Sequence, residues 1–213
     1  MNSFRREYIN LLIDKNKDKL RGLVADFGGS KNKNSRTKLP LTTKINQIIS
    51  INIDPNSNAD YIEDLEKLSF KNENFDSFLL LEVLEHVKNP TKVIEEIYRV
   101  TKKNAIGFIS MPFLYQVHMA PTDYRRWTKA KLKEFFNSNG FEIEQIIENG
   151  GILSVIFDLI RSYVLSLDNK KYINKLKFYI LKFLRPIIRL FAKKNDLRNI
   201  NITTGYFLII KKK

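Results

Sequence analysis

Cysteine is absent from the 213 residues and histidine occurs only twice. The first absence removes thiol nucleophiles, disulfides and cysteine-based zinc sites, and two histidines leave little from which to build a metal centre. Acidic residues are outnumbered, with 23 Asp plus Glu against 37 Lys plus Arg, for a formal net charge of +14. Long apolar runs are missing as well. The longest, Gly151 to Leu167, is interrupted by Asp158 and Arg161, whereas a membrane-spanning helix needs roughly 18 or more apolar residues with few charges. The stretch from Met1 to Glu7 leads into mixed charged and apolar residues, with no continuous apolar segment of a secretion signal, so a cytoplasmic location is expected.

What is present is enough for a folded core. Hydrophobic residues make up 43% of the chain and aromatics 12%, and the length predicts one domain over 1–213. The charge is segregated. From Gly151 to Lys213 there are 14 basic and 3 acidic residues, leaving 23 basic and 20 acidic residues before them. A near-neutral body therefore carries a basic C-terminal region.

The hydrophobic pattern alternates between strands and helices. Residues 3–20 carry apolar side chains at helical spacing. Leu23 to Phe27 is a short buried-strand pattern stopped by Gly28-Gly29. Ile48 to Ile53 reads as a second strand, Tyr61-Ile62 as a short third and Asp76 to Leu81 as a fourth. Pro90 opens a helix running to Lys102, Ala105 to Met111 gives a fifth strand, and Thr128 caps a helix that stops at Gly140. Phe141 to Ile147 predicts a sixth strand; two helical stretches follow, before a seventh over Ile202 to Ile210. The expected fold class is α/β, a three-layer Rossmann-like arrangement. Its mainly parallel seven-stranded sheet would have a pair of helices, within 151–195, inserted before the last strand. Ligands in such sheets lie beyond the carboxyl ends of the strands.

Three strand ends carry polar signatures in order: Asp26-Phe27-Gly28-Gly29-Ser30, Asn52-Ile53-Asp54 and Glu82-Val83-Leu84-Glu85-His86-Val87, with Glu63-Asp64-Leu65 between the last two. Over roughly residues 22–148 this order resembles the S-adenosylmethionine-dependent methyltransferases, especially small-molecule enzymes with Leu-Glu-His-Val after strand four. The resemblance implies S-adenosylmethionine as cofactor and methyl transfer to a small or lipid-linked acceptor, with sugars among the candidates. It places Asp26 and the Gly28-Gly29 turn at the cofactor, where missing side chains let the main chain approach. Asn52 matches the acid that holds the ribose, with Asp54 on the same face of the strand. Asp64 with Leu65 matches the adenine contact, and Leu81 and Glu82 fall beside the methionine part. Ser30 replaces a glycine of the usual first motif. That departure keeps open a rival reading, a degenerate methyltransferase-fold protein acting as a membrane-associated or partner-binding module.

The segment from Pro112 to Trp127 is long, polar and aromatic and falls at the ligand edge. Methyl transfer needs alignment, plus a base when the acceptor is a hydroxyl. His118 is the candidate base, Asp123 its orienting partner, and Tyr124 and Arg125 candidate contacts to an anionic or sugar-like acceptor. The alternative is that Asp123 and Arg125 pair with each other while Trp127 plugs the core. His86 follows strand four and is read as a structural hydrogen bonder.

In the basic region Lys171, Lys175, Lys182, Arg185 and Arg189 recur at helical spacing opposite a broad apolar face, and Pro186 should kink or divide the helix. Residues 171–191 suit either an anionic membrane surface or a protein surface, including a homodimer contact. Without a recognised binding motif, nucleic acid is not an expected partner.

Overall fold

The computed structural model describes residues 2–32, 42, 44–118, 122–166, 172–195 and 202–213. The first helix, α1 (Phe4–Asn16), starts because Ser3 Oγ accepts the Arg6 N–H, and it buries Phe4, Ile9 and Ile13. A single 3₁₀ turn over Lys17–Lys19 leads into β1 (Gly22–Phe27). Strand β2 (Ile45–Asn52) starts three residues before the apolar run that announces it, and β3 (Tyr61–Ile62) pairs with its end. Strand β4 (Phe75–Leu81) is followed by α2 (Pro90–Val100), capped by Asn89 and burying Val93, Ile94, Ile97 and Val100.

Helix α2 passes directly into β5 (Thr101–Pro112), which begins four residues earlier than its apolar pattern. Asn104 adopts φ 64° there, and the register with β4 slips between the Phe75–Thr101 and Ser77–Ile106 pairs. The early residues form an irregular, solvated strand start that apolar patterning does not mark. Helix α3 (Lys129–Ser138) and β6 (Phe141–Glu148) follow, then α4 (Ile152–Ser166), α5 (Tyr172–Asn195) and β7 (Gly205–Lys212).

The seven strands lie in the order β3-β2-β1-β4-β5-β7-β6. Pairings among β1 to β5 are parallel, and β7 runs antiparallel to both β5 and β6. Strand periodicity sorts β4 across two cores: Phe78 and Leu80 face α2 and α3, whereas Leu79 and Leu81 face α1. Helices therefore cover both faces of the sheet, giving the three-layer α/β fold. A smaller apolar cluster, Phe4, Phe157, Val164 and Leu181, joins α1 to the α4–α5 pair. The carboxyl ends of β1, β4 and β5 emerge at one edge, and the polar signatures assemble there.

Candidate functional site

At the end of β4, Glu82 adopts φ 58°, a left-handed conformation that costs a non-glycine residue roughly 1–2 kcal/mol. Its N–H donates to the Ser110 carbonyl at 3.1 Å, one carboxylate oxygen accepts from Ser110 Oγ at 3.0 Å, and the other pairs with the Arg5 guanidinium. Arg5 is buried and lies 3.9 Å over the Tyr115 ring. It reaches the site because Asp158 of α4 accepts the Phe4 and Arg5 N–H groups at 2.8 and 3.1 Å, anchoring the start of α1. Nothing in an amphipathic helix pattern singles out Arg5. The Glu82 side chain is committed to this network, leaving its main chain as the part that the resemblance sets beside the methionine end of the cofactor.

The next turn brings together three groups from two distant segments. Glu85 is fully buried, and its Oε1 lies 3.6 Å from His86 Nε2 and 3.9 Å from His118 Nε2. The two Nε2 atoms are 3.2 Å apart, with the rings edge to face. His86 Nδ1 lies 2.7 Å from the Thr122 carbonyl, which can only accept, so this nitrogen carries the proton. His118 Nδ1 lies 3.3 Å from Asp123 Oδ2, and the same carboxylate oxygen accepts the His118 N–H at 3.0 Å. Burial, with Arg5 and His86 nearby, pulls the His118 imidazole down to about 4, so it is neutral at pH 7.

Asp123 and Arg125 do not pair with each other. Asp123 bonds Arg126, whose Nη2 donates to Oδ2 at 2.6 Å. Burial pushes the Asp123 carboxyl up, but hydrogen bonds from Arg126 and His118 outweigh it and hold it at about 2. The Arg125 guanidinium donates to the Leu84, Val87 and Lys88 carbonyls, and Tyr124 N–H donates to Glu85 O at 2.8 Å. Arg125 thus clamps the turn carrying Glu85 and His86, and is not a free anion receptor. Tyr124 is exposed at the rim, and Trp127 stacks at 4.6 Å on Phe135 against the core. His86, read from sequence as structural, faces His118. Met119, Ala120 and Pro121 of this loop lie outside the described residues.

At the other end of the edge, Asp26 closes β1 with its carboxyl buried, and desolvation alone pushes it up to about 7. Gly28 has φ +80°, and a Cβ there would collide with Val83 Cγ2; one on Gly29 would collide with Asp26. Asn52 Nδ2 donates to the Gly28 and Gly29 carbonyls at 3.0 and 2.8 Å, tying β2 to the glycine turn. Asp54 does not share the strand face with Asn52, because β2 ends at Asn52; instead Asp54 caps a 3₁₀ turn by accepting the Asn56 N–H. Asp64 is exposed and accepts the Glu66 N–H at 2.9 Å. The Leu65 and Leu81 side chains belong to the two cores, so only their main chain is available to a ligand.

Residues 36–109 match the family model described as a methyltransferase domain. An uncharacterised protein of Methanocaldococcus jannaschii is 37% identical over 87 residues, and the match spans 39% of each protein. Burkholderia thailandensis 1,6-didemethyltoxoflavin-N1-methyltransferase, solved with 1,6-didemethyltoxoflavin and S-adenosylhomocysteine, superposes with a TM-score of 0.57 at 11% identity, covering 99% of this chain and 78% of that one. The chain has an S-adenosylmethionine-dependent methyltransferase fold. The same architecture hosts other chemistry: the [4+2]-cyclase SpnF superposes with a TM-score of 0.58 at 15% identity, covering 97% of this chain and 80% of its own. Within this methyltransferase fold, the family match takes in Asn52, Asp64, Glu82, Glu85 and His86, whereas His118 and the α4–α5 pair lie beyond it.

The α4–α5 pair gives the methyltransferase fold a second distinctive surface. Helix α5 continues through Pro186 without dividing; the proline is exposed, so water can satisfy the carbonyl it frees. Phe178, Leu181 and Ile188 pack inward, while Leu176, Tyr179, Phe183, Ile187 and Leu190 are exposed on the opposite side. Lys175 and Lys182 are exposed alongside them, but Arg185 and Arg189 turn toward Glu7 of α1, and Lys171 lies outside the described residues. The basic stripe read from the sequence is therefore partly spent on internal ion pairs. Among the described residues no helix is long and apolar enough to cross a membrane.

Proposed function

We propose that the chain binds S-adenosylmethionine and transfers its methyl group to a small or lipid-linked acceptor, with sugars among the candidates. The observation that carries the cofactor assignment is the buried Asp26 carboxyl beside the Gly28-Gly29 turn, at the carboxyl end of a central parallel strand. Among the described residues no cation offsets its burial, and a desolvated carboxylate so placed suits a cationic ligand. The methyltransferase-domain match and the relative solved with S-adenosylhomocysteine support the same cofactor.

The residues fit the cofactor in part. Asp26 would take the charge of its amino-acid end, the glycine turn would admit the main chain, and Asp64 would face the adenine. Asn52 already spends its amide donors on Gly28 and Gly29, so the ribose would depend on Asp54 or on a reoriented Asn52. When bound, the cofactor supplies an electrophilic sulfonium methyl. His118 presents a neutral imidazole that can take a proton from an acceptor hydroxyl, Asp123 orients it, and Tyr124 at the rim contacts the acceptor. Arg125 serves by holding the turn.

The exposed apolar side of α5, bordered by Lys175 and Lys182, supports attachment to an anionic membrane surface, where a lipid-linked acceptor would be presented. Calorimetry with S-adenosylmethionine tests the enzyme reading: micromolar binding is expected. Absence of binding at millimolar cofactor would favour the binding-module reading, to which the internal bonding of Asn52 already lends support.

A further inference from the structure

We propose that Glu85, His86 and His118 form a site for one divalent transition-metal ion. Their facing atoms make a triangle with sides of 3.2, 3.6 and 3.9 Å. The point equidistant from all three corners lies about 2.1 Å from each, which is the bond length of zinc and similar ions to imidazole nitrogen and carboxylate oxygen. The three distances therefore match the donor spacing of an ion of that size.

The orientation of the rings is the second observation. Each imidazole turns its Nδ1 toward an oxygen, His86 toward the Thr122 carbonyl at 2.7 Å and His118 toward the Asp123 carboxylate at 3.3 Å. The proton on His86 Nδ1 leaves that ring's Nε2 lone pair facing His118 Nε2 and a Glu85 oxygen, and a His118 protonated on Nδ1 adds a second lone pair to the same space. Three electron-rich atoms held this close form a donor set for a cation, beside the Arg5 charge that already acts on Glu85 and His118. The Thr122 carbonyl behind His86 is the kind of support that fixes tautomer and ring direction in metal sites, and the Asp123 carboxylate lies close behind His118 without a hydrogen bond to its Nδ1.

The scaffold is rigid on both sides. Arg125 spans the Leu84, Val87 and Lys88 carbonyls, Tyr124 N–H bonds the Glu85 carbonyl, and Arg126 fixes Asp123. Glu85 is fully buried while His118 is partly exposed, which sets the protein side and the solvent side of the triangle. An ion here would keep open positions facing the aromatic loop. Two imidazoles and one carboxylate select zinc, iron, cobalt or manganese over calcium or magnesium. If the methyl-transfer reading holds, an acceptor oxygen would bind at those open positions and the ion would replace His118 in activating it, since a ligating Nε2 cannot also accept a proton; metal binding itself does not depend on that reading.

The test uses the full untagged chain, stripped with chelator, titrated in separate experiments with Zn²⁺, Co²⁺ and Mn²⁺ without S-adenosylmethionine. One-to-one saturable binding of at least one ion is expected, with Co²⁺ giving visible absorption bands from nitrogen and oxygen ligands. His118→Ala and Glu85→Gln should each weaken binding at least 100-fold, and Asp123→Asn roughly 10–100-fold. His118→Ala removes a partly exposed side chain, and circular dichroism checks that it folds; the Co²⁺ spectrum of the unmutated chain provides a readout independent of any variant. Failure of all three ions to bind would overturn the proposal, as would unchanged affinity in a folded His118→Ala protein. In either case a proton shared between the two rings would account for their approach. Cofactor calorimetry on the same stripped protein separates this outcome from failure of the methyltransferase reading.

Discussion

Asp26 allows the cofactor end of the site to be examined through stability alone. Its carboxyl sits at about 7 in the folded protein against an ordinary value of 3.8, and burial is the cause. A raised value means that the folded state holds its proton more tightly than the unfolded chain does. This contribution to stability is complete below about pH 4 and is lost as pH rises to about 7. A displacement of about three pH units corresponds to on the order of 4 kcal/mol. Asp26→Asn keeps the shape and removes the titration. Urea denaturation of both proteins from pH 4 to 8 gives a difference curve in which other carboxylates largely cancel. The variant should gain on the wild type by about 1.4 kcal/mol per pH unit through the middle of the range, then level off above pH 7. A flat difference curve would refute the buried, uncompensated carboxyl. The proposed cofactor adds a second readout: its positive charge should lower the Asp26 pKa and release up to one proton on binding near pH 6, seen as a heat that varies with the ionisation enthalpy of the buffer.

Gly28→Ala should destabilise by roughly 1–3 kcal/mol in thermal or urea unfolding, because φ +80° and Val83 Cγ2 both oppose a Cβ, and Val83→Ala should restore part of the loss. Arg5→Met alone should cost about 3–5 kcal/mol by leaving Glu82 a buried charge without its ion-pair partner, whereas Arg5→Met with Glu82→Gln should cost clearly less; additive losses in that cycle would argue against the pair. The protein should sediment with anionic but not neutral vesicles, and changing Lys175 and Lys182 to Gln with Phe183 to Ser should abolish it. Equal sedimentation of wild type and variant would exclude the membrane surface, and a concentration-dependent dimer would assign α5 to a subunit contact.

The apolar pattern showed most of the sheet because its central parallel strands are buried, and continuous runs such as Phe78 to Leu81 mark them. It missed the start of β5, where Lys102, Lys103 and Asn104 are exposed and fall in the slip between the Phe75–Thr101 and Ser77–Ile106 pairs, so no apolar run marks them. The site was legible wherever a residue's own position settles its surroundings. Asp26 ends a buried strand, and His118 and Asp123 lie five residues apart in a loop at the ligand edge. It was illegible where geometry depends on contacts between segments. His86 and His118 are brought together by Arg125 and Tyr124 bonding the turn around residue 85, and two histidines 32 positions apart give no such signal. Arg5 was hidden for the same reason, since only the cap from Asp158 aims it at Glu82.

The antiparallel placement of β7 has a further consequence. Because β7 returns between β5 and β6, the chain leaves the sheet at Asn149 and re-enters it at Gly205, where the Asn149 N–H bonds the Gly205 carbonyl at 2.9 Å and the Thr204 N–H bonds back to Asn149 at 3.2 Å. The α4–α5 pair is thus a closed side branch whose two ends already touch. A branch of that kind can lengthen, shorten or be exchanged over generations without altering the register of any strand. So long as α4 keeps Asp158, which aims Arg5 at Glu82, the sheet edge that holds Asp26, Glu85 and His118 can keep its geometry while selection reshapes the outer face of α5, through which the protein meets its surroundings.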